Sequence, residues 1–111
     1  MIDIIEIKNK GEFNRFIETN KDDLHFIKFS TEFCGPCKIM DNRIKNLEKE
    51  NVGNTSFAEV TICDDDTEDL AREFSVTSVP VFIYINGGEV KYRSVGATSS
   101  DELYKRIKEF A

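Results

Sequence analysis

The sequence is poor in several features that would place it in a class of proteins at once. It has no tryptophan, two prolines, three cysteines and one histidine among 111 residues. No apolar run approaches the roughly 20 residues that a membrane-spanning helix needs. Three cysteines are too few for a disulfide framework, and the first ten residues carry acids where a secretory signal peptide carries bases. We therefore expect a cytoplasmic protein that is neither exported nor embedded in a membrane.

Positive charge is also scarce. Lysine and arginine together number 15 against 21 aspartates and glutamates, which gives a net charge of −6. An acidic surface repels phosphates, so we expect no binding to nucleic acid through a basic patch. No linker, internal repeat or low-complexity segment interrupts the chain. We predict one domain over residues 1–111, and a monomer, because nothing in the sequence demands a dimer.

The apolar pattern alternates between the two regular periods and predicts an α/β fold. Helical spacing predicts helices at 11–19, 34–50, 65–74 and 99–110. Runs of branched and aromatic residues predict strands at 2–7, 24–30, 57–62, 81–85 and 90–95. The Asn86-Gly87-Gly88-Glu89 turn makes the last two strands antiparallel. We therefore expect a mixed sheet between layers of helices, in a strand order that the pattern does not give.

The most specific pattern is Cys34-Gly35-Pro36-Cys37, placed where an apolar strand meets the start of a helix. Unpaired amides and the helix dipole stabilise a thiolate in a first turn, where thiol pKa values of about 7 or lower occur. Cys34 at the tip can meet a partner disulfide, and Cys37, nearly one turn deeper, can attack a mixed disulfide. Pro36 has the φ angle that a first turn tolerates, and Gly35 keeps side-chain bulk away from a substrate. The pattern indicates redox exchange.

Two other interpretations of the cysteine pair are weaker. Cys34 and Cys37 have the spacing of half a zinc site, with Cys63 and His25 as further candidates, but a second paired motif is missing. Two inert core cysteines are disfavoured because Gly35-Pro36 would weaken a purely structural helix start. We therefore expect no metal. We interpret Cys63 as a small, partly buried hydrophobic residue and His25 as structural or exposed.

Taken with three further motifs, the cysteine pair resembles the active site of the thioredoxin family, and the resemblance covers almost the whole chain. The further motifs are Ser78-Val79-Pro80, the turn that begins at Asn86, and Val95-Gly96-Ala97. The resemblance implies the thioredoxin fold, with a central mixed sheet of about five strands flanked by about four helices. It also implies a thiol–disulfide oxidoreductase that reduces protein disulfides. Such a protein binds no cofactor and is re-reduced by an NADPH-dependent flavoprotein reductase.

Carried over residue by residue, the resemblance implies that Cys34 attacks and Cys37 resolves. Pro80, in cis, would lie against the disulfide, and the Val79 backbone would hydrogen-bond an extended substrate. Gly96 would line the same surface.

Phe33 stands where the family usually has tryptophan. It keeps an apolar platform for substrate but has no N–H donor.

Lys28 is a larger departure, because the family commonly carries a buried aspartate there that is thought to relay protons to the resolving thiol. Burial disfavours the charged form of an amine. A charged Lys28 would stabilise a nearby thiolate, and a neutral Lys28 would accept the proton of Cys37. We hypothesise that Lys28 lowers the pKa values of the two thiols relative to a carboxylate at the same position. Alternatively, its ammonium reaches water or pairs with Glu32 or Glu59. The family's lysine partner aligns with about Thr61, so we expect the usual ion pair to be absent.

Three functions remain open from the sequence. The first is reduction of protein disulfides, which the Gly-Pro between the cysteines favours. The second is an oxidase or isomerase of the same fold, which Lys28 favours because a cation stabilises the reduced thiolate form. The third is a docking module in which redox chemistry is incidental. A Cys34→Ser variant separates docking from the two catalytic functions, because only docking survives it.

Overall fold

In the computed structural model, which describes residues 1–111, five strands form one mixed sheet. The strands are β1 (Ile4–Glu6), β2 (Leu24–Ser30), β3 (Thr55–Thr61), β4 (Val81–Asn86) and β5 (Glu89–Val95). Their order is β1-β3-β2-β4-β5, with β1, β3 and β2 parallel and β4 antiparallel to both of its neighbours. The predicted mixed sheet is confirmed.

Four helices cover the two faces of this sheet. They are α1 (Lys10–Glu18), α2 (Gly35–Lys45), α3 (Asp65–Glu73) and α4 (Ser100–Phe110), and a single 3₁₀ turn spans Lys49–Asn51. None of them is long and apolar enough to cross a membrane.

The helix predicted over 34–50 is too long. It ends at Lys45 because Asn46, a poor helix former, takes the C-cap position. The amide of Leu47 then closes a tighter turn on the carbonyl of Ile44. The Leu47 side chain is nevertheless buried in the core, so the apolar stripe continues beyond the end of the helix.

Two apolar cores lie on opposite faces of the sheet. One packs α2 and α4 against the sheet, with Met40, Ile44, Leu103 and Ile107 among its buried residues. The other packs α1 and α3 against it, with Phe13, Phe16, Leu70 and Ala71 among them. The central strand β2 is buried along its whole length, including the polar residues His25 and Lys28. Since alternate residues of a strand face opposite sides, Lys28 lies on the α2 side with Leu24 and Phe26.

Each helix begins at a side chain that accepts a hydrogen bond from the amide three residues later. The four caps are Asn9, Cys34, Asp64 and Ser99. Asparagine, aspartate and serine are the usual residues at this position. At Asp64 the bonds from the Thr67 backbone and side chain hold the carboxyl pKa below its ordinary value. The remaining cap, at the start of α2, is the sulfur atom of Cys34.

Candidate active site

Strand register brings three separate segments to one end of the sheet. Phe29, near the end of β2, pairs with Val81 at the start of β4, and Val81 in turn pairs with Val95 at the end of β5. The loop after β2 leads to Cys34, and Pro80 and Gly96 adjoin the paired valines. The predicted catalytic and substrate-binding residues therefore share one edge of the molecule.

Cys34 and Cys37 are joined by a disulfide, with their Cα atoms 5.2 Å apart. Cys34 is the N-cap of α2, and its Sγ accepts a hydrogen bond from the Cys37 backbone amide at 3.2 Å. Both residues are buried, Cys37 more deeply, at 3% exposure against 8%. A sulfur atom held by a first-turn amide at the positive end of the dipole is stabilised as a thiolate. This arrangement favours Cys34 as the nucleophile.

The two residues between the cysteines are exposed. Pro36 lies in the first turn, where its missing N–H costs no helical hydrogen bond. A Cβ built on Gly35 would meet no atom within 4 Å, so packing within the protein does not require glycine there. An approaching substrate would use that open space.

The segments around Pro80 and Gly96 are joined directly. The Val79–Pro80 peptide bond is cis, and the Gly96 amide donates to the Pro80 carbonyl at 2.8 Å. Gly96 has a φ of 93°, a backbone conformation that side chains strongly disfavour. Beside these segments the side chain of Phe33 is 93% exposed, and Val95 is also exposed. Together, Phe33, Pro36, Val79, Val95 and Gly96 form an apolar area that we call the front surface.

A second set of residues, which we call the rear cluster, lies behind Cys37. It consists of Lys28, Ser30, Asp41 and Glu59. The Lys28 ammonium donates to the Cys37 carbonyl at 3.0 Å and pairs with Glu59 at 3.0 Å and Asp41 at 3.6 Å. Ser30 donates to the same Glu59 carboxylate at 2.6 Å. Lys28 is only 2% exposed, so a paired, hydrogen-bonded cation lies behind Cys37.

The expected absence of the family's ion pair rested on Thr61 as the partner position, and that position is wrong: an ion pair between Lys28 and Glu59 stands here. In the β2–β3 register Lys28 lies opposite Glu59, whereas Thr61 lies opposite Ser30. Counting along the sequence misplaced the partner by two residues, and one strand face repeats every two residues. The predicted pairing with Glu59 is confirmed, but Glu32 is not among the ion-pair partners of Lys28.

Besides Ser30, the sequence interpretation missed one charged member of the rear cluster, Asp41. It lies four residues after Cys37 on α2, a spacing that puts both side chains on one helix face and would have indicated it. Its other oxygen pairs with Lys45 at 2.9 Å. Lys28, Cys37, Asp41 and Glu59 all line a polar cavity of about 360 Å³. The environment behind Cys37 is therefore polar.

A further carboxylate adjoins the rear cluster across β3. Glu6 lies opposite Glu59 in the β1–β3 register. Partial burial, and secondly the charge of Glu59, raise the pKa of Glu6 above its ordinary value. The Thr61 amide, which donates to Glu6, opposes this rise.

The residues considered for a zinc site are not brought together. His25 lies at the start of β2 and Cys34 follows its end, so at about 3.3 Å per residue they are well over 10 Å apart along the strand direction. His25 is buried, stacks edge-on against Phe16 and hydrogen-bonds the Thr19 carbonyl, so its role is structural. Cys63 is exposed, and its interpretation as partly buried is wrong: it follows the end of β3, outside both cores.

Comparison with known proteins agrees with this geometry. A family model described as thioredoxin matches residues 4–109. Thioredoxin-T of Drosophila melanogaster is 32% identical over 108 residues, which cover 97% of this chain and 67% of the relative. The thioredoxin of Chlamydia caviae is 33% identical over 106 residues, covering 96% and 98% of the two chains.

A solved structure shows the same likeness in three dimensions. The X-ray structure of Fasciola hepatica thioredoxin superposes with a TM-score of 0.86 at 28% identity, covering 97% of this chain and 100% of that one. The redox-active spacing of Cys34 and Cys37, at the start of a helix in this fold, accompanies the match. The chain therefore belongs to the thioredoxin family of thiol–disulfide oxidoreductases.

Proposed function

We propose that this oxidoreductase works as a reductant of protein disulfides, with Cys34 as the attacking thiol and Cys37 as the resolving thiol. One observation carries the assignment of the two roles. The Cys34 sulfur caps α2 and accepts the Cys37 amide, whereas Cys37 lies deeper, against the rear cluster. The sulfur at the helix tip is the better stabilised thiolate and the one nearer to the front surface.

The reaction proceeds in two exchanges. The Cys34 thiolate attacks a substrate disulfide, forms a mixed disulfide and displaces one substrate thiolate, which takes up a proton. The Cys37 thiol then loses its proton and attacks Cys34, so that the Cys34–Cys37 disulfide forms and the second substrate thiol leaves. Two electrons pass from the cysteine pair to the substrate.

The front surface supplies the docking contacts. Phe33 and Val95 offer exposed apolar area next to the cysteine pair. The Val79 backbone, just before the cis bond, would hydrogen-bond an extended substrate segment, and Gly96 would leave room beside it. A segment with an accessible disulfide is therefore the substrate class that this surface fits.

Lys28 modulates the pair from behind. Its ammonium donates to the Cys37 carbonyl, so the positive charge lies behind the residue that carries the resolving sulfur. At an effective dielectric constant of about 20, a unit charge at roughly 6 Å from a thiolate stabilises it by about 3 kcal/mol before its own partners are counted. Glu59 and Asp41 offset part of this stabilisation. We infer that the Lys28 charge itself stabilises the reduced form of the cysteine pair.

The electrons come from outside the chain. We propose an NADPH-dependent flavoprotein reductase of the thioredoxin-reductase type as the donor, and no cofactor bound to the chain itself. We place the protein in the cytoplasm as a monomer, because an exposed free thiol at Cys63 suits a reducing compartment. NADPH consumption with such a reductase, sedimentation of the native chain, and imaging of a tagged chain in cells test these points.

The decisive experiment is reduction of insulin disulfides with dithiothreitol as electron donor. The wild-type chain should accelerate the reaction, and Cys34→Ser should bring the rate down to that of dithiothreitol alone. Cys63→Ser is the matched control and should keep the wild-type rate. Acceleration that survives Cys34→Ser would contradict the proposal, and binding of a partner that survives it would favour a docking module.

A second candidate function, that of an oxidase or isomerase of the same fold, is favoured by Lys28 alone. A cation behind the resolving cysteine stabilises the reduced form and makes the disulfide more oxidising. A reduction potential near about −270 mV is typical of reductants, and one near about −180 mV of isomerases. Equilibration of the cysteine pair with glutathione measures this potential.

A further inference from the structure

The segment after β5 carries part of the front surface, and side chains of the active-site helix hold it. This segment, 96–99, connects Gly96 to the helix cap Ser99. It belongs to neither a helix nor a strand, so no regular ladder fixes it. Its distance from Cys34 therefore depends on individual contacts.

One contact ties the segment to the Pro80 loop, and two more tie it to α2. The first is the bond from the Gly96 amide to the Pro80 carbonyl. The other two involve Thr98: its carbonyl accepts from the Arg43 guanidinium, and its amide donates to the Met40 sulfur at 3.3 Å. Both backbone groups of Thr98 are thus held by side chains of the helix that Cys34 caps.

Arg43 is the stronger of the two α2 contacts. A charged guanidinium bonded to a carbonyl contributes more than a neutral hydrogen bond, whereas a thioether is a weak acceptor. The same guanidinium nitrogen also lies 3.7 Å from the Met40 sulfur, which is fully buried and holds one edge of the arginine in place. Arg43 is only partly exposed, so its position is defined by its neighbours.

We propose that Arg43 is a positioning residue for protein substrates: by holding the Thr98 carbonyl, it sets the distance between the Gly96 edge of the front surface and Cys34. The inference rests on the proposed reduction of protein disulfides. A protein substrate spans both edges of the surface, so it depends on that distance. A small disulfide reaches Cys34 without touching Gly96, so its reduction does not depend on that distance.

The experiment compares Arg43→Met with Arg43→Lys on two substrates, insulin and oxidised glutathione, with dithiothreitol as the electron donor. Methionine keeps the apolar stem and removes the donor, whereas lysine keeps one donor. We expect KM for insulin to rise about fivefold in Arg43→Met, with kcat unchanged, and to return to within about twofold of wild type in Arg43→Lys. Reduction of oxidised glutathione should not change. Arg72→Met, which removes an exposed arginine bonded to Asp69, is the control.

Hydrogen exchange supplies a second readout that does not depend on activity. The Gly96 and Thr98 amides should exchange faster in Arg43→Met than in wild type, while amides of β2 keep their protection. An unchanged KM for insulin, or an equal loss on insulin and oxidised glutathione, would overturn the inference, as would unchanged exchange at both amides. Failure of the wild-type chain to reduce insulin would instead overturn the proposed function, and the inference with it.

Discussion

The two sides of the Cys34–Cys37 disulfide differ in kind. The front surface is apolar and exposed, and apart from Phe33 it is built from residues that match the thioredoxin motifs in type and position. The rear cluster is polar and largely enclosed, and it places a lysine where the family has a carboxylate. The comparison teaches that substrate docking and the electrostatics of the thiols are supplied by separate sets of residues. Each can therefore change without the other.

Because Cys34 is nearer to the front surface and Cys37 lies against the rear cluster, substituting each cysteine should have a different result. This is the largest effect on activity that we expect. Cys37→Ser should lose all turnover yet remain covalently joined to a disulfide substrate through Cys34, because the resolving attack is missing. Cys34→Ser should neither turn over nor form the joined species. Non-reducing electrophoresis after mixing with insulin detects the adduct. An adduct formed equally by both variants would mean that the two cysteines share the attacking role.

Removing the cation from the rear cluster should cost stability. Lys28→Met leaves Glu59 and Asp41 facing each other without their shared partner. Breaking a fully buried pair costs 3–5 kcal/mol, and partial exposure of both carboxylates brings our expectation down to about 2 kcal/mol. Urea unfolding of the reduced protein measures this loss. The double variant Lys28→Met/Glu59→Leu should recover most of it, and a double variant less stable than the single one would contradict the account.

Removing the exposed ring from the front surface should leave stability untouched and weaken docking. Phe33 is 93% exposed, so Phe33→Ala removes little packing. Loss of an apolar contact of this size should raise KM for insulin about fivefold, with the melting temperature unchanged. Phe33→Trp should keep or lower the wild-type KM, since it adds an N–H donor. A rise in KM accompanied by a shifted reduction potential would mean that the two sides are not separate.

The smallest effect concerns the carboxylate that adjoins the rear cluster. The pKa of Glu6 is raised, so its ionisation costs stability; the cost is absent well below pH 4.5 and grows as the pH rises through the raised pKa. Glu6→Gln keeps an acceptor for the Thr61 amide and removes the charge that faces Glu59. We expect it to melt about 1 °C higher than wild type at pH 7, with no difference near pH 4. Glu50→Gln, an exposed residue away from the sheet, is the control, and a Glu6→Gln gain that persists at pH 4 would contradict the assignment.

The front surface could be predicted from the sequence because each of its parts is local. The cysteine pair and its helix start are four adjacent residues, and the motifs at Pro80 and Gly96 are each contained in three. Helical and strand periods also placed four helices and five strands near their observed positions. The largest error is the end of α2, because Leu47 continues the apolar stripe outside the helix, and β1 is shorter than the predicted 2–7, at Ile4–Glu6.

The rear cluster could not be predicted in full because it depends on register between strands. Glu59 faces Lys28 only through the β2–β3 pairing, and a shift of one residue would turn its side chain to the other face. Asp41 joins through the packing of α2 on that face. Local spacing offered one clue, since Asp41 lies four residues after Cys37 on the same helix. The alignment that pointed to Thr61 had no strand register to correct it.

The central claim is that the Lys28 charge favours the reduced form of the cysteine pair, and the reduction potential tests it most directly. Wild type and Lys28→Met would be equilibrated with glutathione buffers, with Lys45→Met as a control that removes an exposed cation from the same Asp41. The account predicts that Lys28→Met is more negative than wild type by roughly 30 mV, about 1.4 kcal/mol for two electrons, and that Lys45→Met differs little. A potential in Lys28→Met equal to, or less negative than, that of wild type would contradict it.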